Sequence, residues 1–452
     1  QGYRRIAGKA HRMSYEFIAI TMFAGMMVLL LTGQRVFAVI GFVGVVAAFL
    51  LWGTGGSEMG FASAMKLVKW YPMLTVPMFV FMGYMLSESG IAEDLYKAFH
   101  VWMGPINGGL ALGTIGLMVI ISAMNGLSVA GMAIGATIAL PELLRRGYDK
   151  VMTTGVVQGG STLGILIPPS IVLVLYGMIA RVPVGQLWLA GVFPGLLMAA
   201  LMAIYVYVRC RINPSLGPAL PAEERHVPTG EKLKLLTAGI LPLGIFTLMM
   251  WLFLSGIASL VEASAVGAIS SALVAWQRGR LTRTLWNDVL QKTLGITCMF
   301  MWILIASLCF GAVFDGLGAV KSIERFFLGD LRLEPWQVLV LMQLSFLIMG
   351  MFLDDTAMLV IVAPLYIPLV QKLGFDLVWY GVLYTITCQI AYITPPFGYN
   401  LFMMRAMAPP GITMRDIYAS IWPFVGIMVA SLIIIGCFPE IATWLPNNYY
   451  SK

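Results

Sequence analysis

The sequence predicts an all-α polytopic membrane protein, arranged as an inverted repeat with two re-entrant hairpins and two helices broken at Pro-Pro. Three observations carry that reading. Of 452 residues, 60% are hydrophobic and only 11% charged, where a soluble domain is near a quarter charged. Two Pro-Pro pairs interrupt apolar stretches that are otherwise long enough to span a bilayer. Finally, the segments around those pairs recur at one fixed spacing.

The recurrence is read directly from the residues. PELLRRGYDK (141–150) resembles PLVQKLGFDL (368–377), with Pro141, Gly147 and Asp149 facing Pro368, Gly374 and Asp376 at a spacing of 227. ILIPPS (165–170) and AYITPPFG (391–398) align at the same spacing, and SESGIA (87–92) meets DGLGAV (315–320) at 228. The polar stretch RCRINPSLGPALPAEERHVPTGEKLK (209–234) separates the halves. Internal repeats of broken helices are a hallmark of secondary carriers.

In chain order, residues 1–16 form a polar N-terminal tail, and 17–70 form scaffold helices that include FIAITMFAGMMVLLLTG and VFAVIGFVGVVAAFLLWG. About 20 helical residues cross a hydrocarbon core. The first repeat occupies 71–208, with a re-entrant hairpin at about 107–145 and a broken helix at about 151–180. A polar cytoplasmic loop (209–234) and further scaffold helices (235–292) follow. The second repeat is 293–407, with a hairpin at about 335–371 and a broken helix at about 377–407. A C-terminal helix and tail complete the chain at 408–452. The semi-polar pieces at 87–102 and 316–329 suit helices lying in the membrane plane.

Composition also excludes. The net charge of +7 comes from basic residues scattered through short loops, the pattern of membrane topology rather than of nucleic-acid binding. A modest majority of the 28 Lys and Arg fall on one side, taken as cytoplasmic, when the halves are placed in opposite orientations. Five widely spaced cysteines give neither a disulfide framework nor a metal spacing. No phosphate-binding Walker sequence is present, so ATP is not the energy source in this chain. Gln1 as first residue fits a processed product or part of a longer fusion.

The breaks point to a site. Each proline removes a donor and clashes with the preceding turn, so the helix must open at Pro168-Pro169 and Pro395-Pro396. Freed main-chain groups at membrane depth persist where they line a cavity or are buried in protein. A simple kink is the bland alternative for either pair alone. The hairpins place polar tips beside the breaks: Asn125, Gly126 and Ser128 in the first, Asp354, Asp355 and Thr356 in the second. An ordinary turn is the bland reading of the first tip, whereas carboxylates at membrane depth face a cavity or a partner.

Half-helix N-termini favour anions and unwound carbonyls suit a hard cation such as sodium. Donors around the first break are the carbonyls near Gly159 and Gly160, with Ser161, Thr162 and the Asn125/Ser128 tip; around the second they are Thr394, Asn400 and the Asp354/Thr356 tip. Asn125, Ser128, Asp354, Asp355, Thr356 and Asn400 are thus the candidate substrate contacts. Candidate sodium ligands are Asn125, Gly126, Ser128, Gly160, Thr162, Asp354, Thr356, Thr394 and Pro395.

From about residue 17 to 445 the chain resembles the large membrane subunit of tripartite ATP-independent periplasmic (TRAP) transporters, the DctM-like family. VPMFVFMGYMLSESGIA, QGGSTLGILIPPS, LAGVFPG, GMFLDDTAMLVIVAP and AYITPPFGYNLF carry the resemblance. It implies an elevator-type importer of small organic acids in the bacterial inner membrane, driven by two or more sodium ions. It also implies a small four-helix membrane subunit, separate or fused upstream, and a periplasmic binding protein that delivers substrate. The family's first tip reads S-G-S-S where this chain has NGLS, so Gly126 and Ser128 match while Asn125 and Leu127 depart. The second reads L-D-P-T where this chain has LDDT, so Asp355 replaces proline and adds a charge. Ser161 is inserted before Thr162 in the G-G-T-L-G-I-L-I-P-P pattern, and T-P-P-x-G-x-N-L is intact at 394–401. Two rivals remain: a passive channel, and an intramembrane aspartyl protease, for which adjacent Asp354 and Asp355 point about 100° apart on a helix and are poorly placed as a dyad.

Overall fold

A computed structural model describes residues 15–221, 228–316, 333–353, 355–396 and 398–450. Every regular element among them is helical, and six helices are long and apolar enough to cross a membrane. Asp354 and the 316–329 piece beyond Gly316 lie outside the described residues, as does nearly all of the N-terminal tail.

The chain opens with α1 (Tyr15–Leu31), α2 (Val36–Trp52) and α3 (Gly56–Val68). Next come α4 (Thr75–Leu86), a widened helical turn (Ser87–Ile91) kinked at Gly90 with φ 81°, and α5 (Ala92–Met103). The first hairpin is α6 (Gly109–Asn125) and α7 (Ser128–Arg145), and the first broken segment is α8 (Lys150–Thr162) and α9 (Ile171–Ala180). The half closes with α10 (Val184–Ile212). Helices α11 (Thr229–Leu254), α12 (Leu260–Gln277) and α13 (Arg283–Gly316) lead to the second hairpin, α14 (Pro335–Gly350) and α15 (Asp355–Lys372). The second broken segment is α16 (Leu377–Tyr392) and α17 (Tyr399–Met407), followed by α18 (Met414–Cys437) and α19 (Glu440–Tyr450). Helices α10 and α11 thus extend into both ends of the 209–234 polar stretch, and Pro439 separates two helices where the sequence suggested one and a tail.

The repeated P-x-x-x-x-x-G-x-D pattern has a local cause. Gly147 (φ 78°) and Gly374 (φ 77°) end the two hairpins in the left-handed conformation that glycine adopts without penalty. Tyr148 N–H then donates to Leu143 O and Gly147 N–H to Leu144 O, while Phe375 donates to Val370 O and Gly374 to Gln371 O. Both are the paired bonds of a Schellman cap. Two residues beyond each glycine, an aspartate starts the next helix: Asp149 accepts from Met152 N–H and Asp376 from Trp379 N–H, each at 2.8 Å. One ten-residue pattern therefore stops a hairpin and launches a broken segment, twice.

Two contacts fix how the broken segments run. At one end Lys150 pairs with Asp416 at 2.9 Å, joining the start of α8 to the start of α18. At the other, Tyr176 Oη of α9 donates to Leu377 O at the start of α16. The two segments therefore lie side by side in opposite directions. Small residues let α18 approach α8: a Cβ on Gly155 would fall 2.5 Å from Ser420 O, and one on Gly159 2.5 Å from the Phe424 ring. Helix α13, 34 residues long, packs on α2 where Gly44 meets the Phe310 backbone. Close approach through small residues is the usual basis of helix association in membranes.

Gly159→Leu is predicted to lower the unfolding temperature in detergent by several degrees, because overpacking costs about 1–3 kcal/mol. Gly244→Leu, at a position with open space around it, is predicted to leave it unchanged; equal effects would place the α8–α18 seam elsewhere.

Candidate ion and substrate site

The first hairpin tip is pressed into the first break. Gly126, at φ 63°, packs so tightly that a Cβ would overlap the carbonyl oxygen of Pro169, and its own carbonyl accepts from Ile171 N–H at 3.4 Å. Across the contact, a Cβ on Gly164 would fall 2.7 Å from Leu127 O. Both Pro-Pro bonds are cis. After the first break, Ser170 caps α9 by accepting from Leu173 N–H, and its hydroxyl donates back to Ile165 O. The second break lacks that cap: its first helical turn starts at Gly398, and Thr394 Oγ1 turns back to Ile390 O at 2.5 Å.

A buried polar seam joins the halves. Asn400 Nδ2 donates to Ser128 Oγ at 3.0 Å and to Ser161 Oγ at 3.1 Å, and all three residues are buried. The sequence grouped Asn400 with the second break, but its side chain sits at the first tip. The reason is topological: α17, beyond the second break, crosses to pack on α7. A second tie joins Gln389 Nε2 to Thr162 O at 2.8 Å, between residues separated by the repeat spacing of 227. Gln389 Oε1 and Gln158 Oε1 are buried without a hydrogen-bond partner among the described residues. Sequence reading passed over both glutamines; their place inside wholly buried helices is the signal that could have found them.

Of the remaining candidates, Gly160 O accepts from Leu163 N–H, and Thr162 Oγ1 donates to Gly159 O at 2.7 Å. Asn125 and Thr356 are placed by their helices, although their side chains, like Asp354, lie outside the described residues. Asp355 is buried, and its carbonyl accepts from Tyr384 Oη at 2.7 Å. At the spacing of 227, Asp355 is the counterpart of Ser128 and Cys388 that of Ser161. Asp355 and Cys388 flank one small void near the second tip. Tyr392 and Gly350 border the same void; Thr394 and Pro395, just beyond Tyr392, are not among the residues that line it.

Two cavities lie along α13. One of about 620 Å³ is bounded by Arg35 and Phe37 at the start of α2, by Trp302 of α13, and by Gly350, Leu353 and Tyr392 of the second tip and break. The other, about 410 Å³, is bounded by Lys66, Trp70, Arg181, Leu308 and Ile367. Ile303 borders the first and Leu308 the second, about 7.5 Å apart along the helix. Each has basic but no acidic residues among its described lining residues.

An all-helical polytopic chain with broken, oppositely directed segments and apolar-walled cavities defines a membrane transport protein. The chain belongs to the family described as Tripartite ATP-independent periplasmic transporter, DctM component, whose model matches residues 23–441. It is 32% identical over 382 residues to the C4-dicarboxylate TRAP transporter large permease protein DctM of Pseudomonas aeruginosa, covering 83% of this chain and 86% of that one. To the protein of the same description from Vibrio cholerae it is 30% identical over 422 residues, covering 88% and 91%. The crystal structure of the Alcanivorax borkumensis YdaH transporter shares the fold, with a TM-score of 0.64 at 14% identity over 87% of this chain and 90% of that one. The chain is a transporter component and not an enzyme, which removes the aspartyl-protease alternative.

Asn400→Leu is predicted to destabilise the protein by about 1–3 kcal/mol, because the buried Ser128 hydroxyl loses its partner. Denaturant or thermal unfolding in detergent checks this, and unchanged stability would remove the seam from the account.

Proposed function

We propose that this chain is the sodium-coupled importer of a small organic anion, acting with a separate or fused small membrane subunit and a periplasmic binding protein in the bacterial inner membrane. The observation that carries it is the pairing of each hairpin tip with a broken helix, joined across the halves by Asn400 and Gln389. Two segments running in opposite directions, with equivalent residues in contact, support an inverted repeat about an axis near Thr162 and Gln389.

In this reading sodium is bound at the breaks as co-substrate. The donor set fits a hard cation: hydroxyls of Ser128, Ser161 and Thr162, and the unpartnered amide oxygens of Gln158 and Gln389. Asn125, Gly126 and Gly160 would complete the first cluster; Asp354, Thr356, Thr394 and Pro395 would form the second, with Asp354 supplying the negative charge. Two or more ions follow from two clusters. An organic anion approaching Asp354 and Asp355 meets repulsion that bound cations cancel, so substrate and ion bind together. Cavities stacked on α13, between the scaffold helices at 17–70 and the hairpins and broken segments, support an elevator movement. The hairpins and broken helices slide along α13, and the site faces one cavity and then the other.

In proteoliposomes containing both membrane subunits, with binding protein and a sodium gradient, the chain is predicted to accumulate an organic acid. Asp354→Asn is predicted to abolish accumulation while leaving assembly intact. Ser128→Ala or Thr394→Ala is predicted to weaken the apparent sodium dependence severalfold. Currents that follow voltage without coupled accumulation would support a passive channel instead.

A further inference from the structure

We infer that Arg35 selects the substrate, binding the single carboxylate of a monoanion whose apolar or aromatic body lies along the wall of the larger cavity. This rests on the carrier reading above and specifies its substrate class.

Three observations meet at this place. Arg35 is the one charged residue among the described lining of the cavity of about 620 Å³. Arg35 is exposed, and its guanidinium has no ion pair or side-chain hydrogen bond among the described residues, whereas Lys150, Arg278 and Lys292 each hold a carboxylate. Arg35 also stands at the N-cap of α2 with no side-chain cap bond, and Val36 and Phe37 of the first turn line the same cavity. The main-chain N–H groups of that turn therefore add to the positive field beside the guanidinium.

The rest of the wall is apolar or aromatic. Phe37 and Trp302 lie with ring centroids 5.9 Å apart, and Tyr392 and Tyr399 6.0 Å apart. A carboxylate set on Arg35 gains a charge-assisted bond that only one anionic group can use. The second carboxylate of a short dianion would face these rings with no cation to receive it, which is unfavourable. Covering that apolar wall with an apolar body is favourable. The proline-broken helix and hairpin tip supply the far end, so the anion sits between Arg35 and the ion clusters.

The test uses the full chain in lipid nanodiscs with sodium present, titrated with phenylacetate, its neutral amide phenylacetamide, and succinate. Phenylacetate is expected to bind about tenfold or more tightly than either of the others. Arg35→Gln is expected to weaken phenylacetate about tenfold or more without changing phenylacetamide, and Arg35→Lys to restore part of the loss. Equal binding by the Arg35→Gln variant, succinate binding as tightly as phenylacetate, or no binding of phenylacetate by the wild type would each overturn the inference. Sodium-driven uptake of any organic acid by the wild type alongside such a result leaves the carrier reading standing. Its absence for every acid tried would sink the carrier reading itself.

Discussion

Two consecutive prolines in an apolar segment free main-chain oxygens that the helix cannot satisfy internally, and the surroundings must be built to accept them. The first hairpin answers this constraint. Gly126 is required where the chain turns at φ 63° against Pro169, and its carbonyl takes the N–H that restarts α9. Nothing larger fits, so the tip and the break determine each other. The Schellman caps at Gly147 and Gly374 and the N-caps at Asp149 and Asp376 then set the length of chain between tip and break in both halves.

The halves are equivalent in plan and unequal in chemistry. Ser128 and Ser161 receive Asn400 at the first tip, while the counterparts of these two serines, Asp355 and Cys388, flank a small void. The first cluster is hydroxyl-rich and neutral; the second carries carboxylates. The chain belongs to a family of permease components.

Much of this was legible in the residues. The spacing of 227 located both breaks, and the observed starts of α8 (Lys150) and α16 (Leu377) stand at that spacing. Gly147 and Asp149 could be read because caps are local and depend on neighbouring residues only. What could not be read depends on which distant surfaces meet. Asn400 belongs in sequence to the second break and in space to the first tip, since the crossing of α17 is a tertiary outcome. Arg35 counted in the sequence only as a loop charge that sets orientation, and its place beside a cavity required α2, α13 and the second tip together. Gln389 looked like one more polar residue on an apolar helix until its partner proved to be its own repeat counterpart. The helical ends of the 209–234 stretch were hidden because charge and proline suggest a loop, whereas Arg209 and Arg211 sit in the last turn of α10, where cations are favoured.

Asn400 from the second half closes the first tip. The most direct test of that contact pairs Ser128→Cys with Asn400→Cys in a chain whose five native cysteines have been replaced, followed by mild oxidation in membranes. An efficient disulfide is expected between these positions, detected as an internal crosslink that survives protease cleavage between α10 and α11. Oxidised chains that separate into two fragments after that cleavage would show that the halves do not meet there, and would contradict the account.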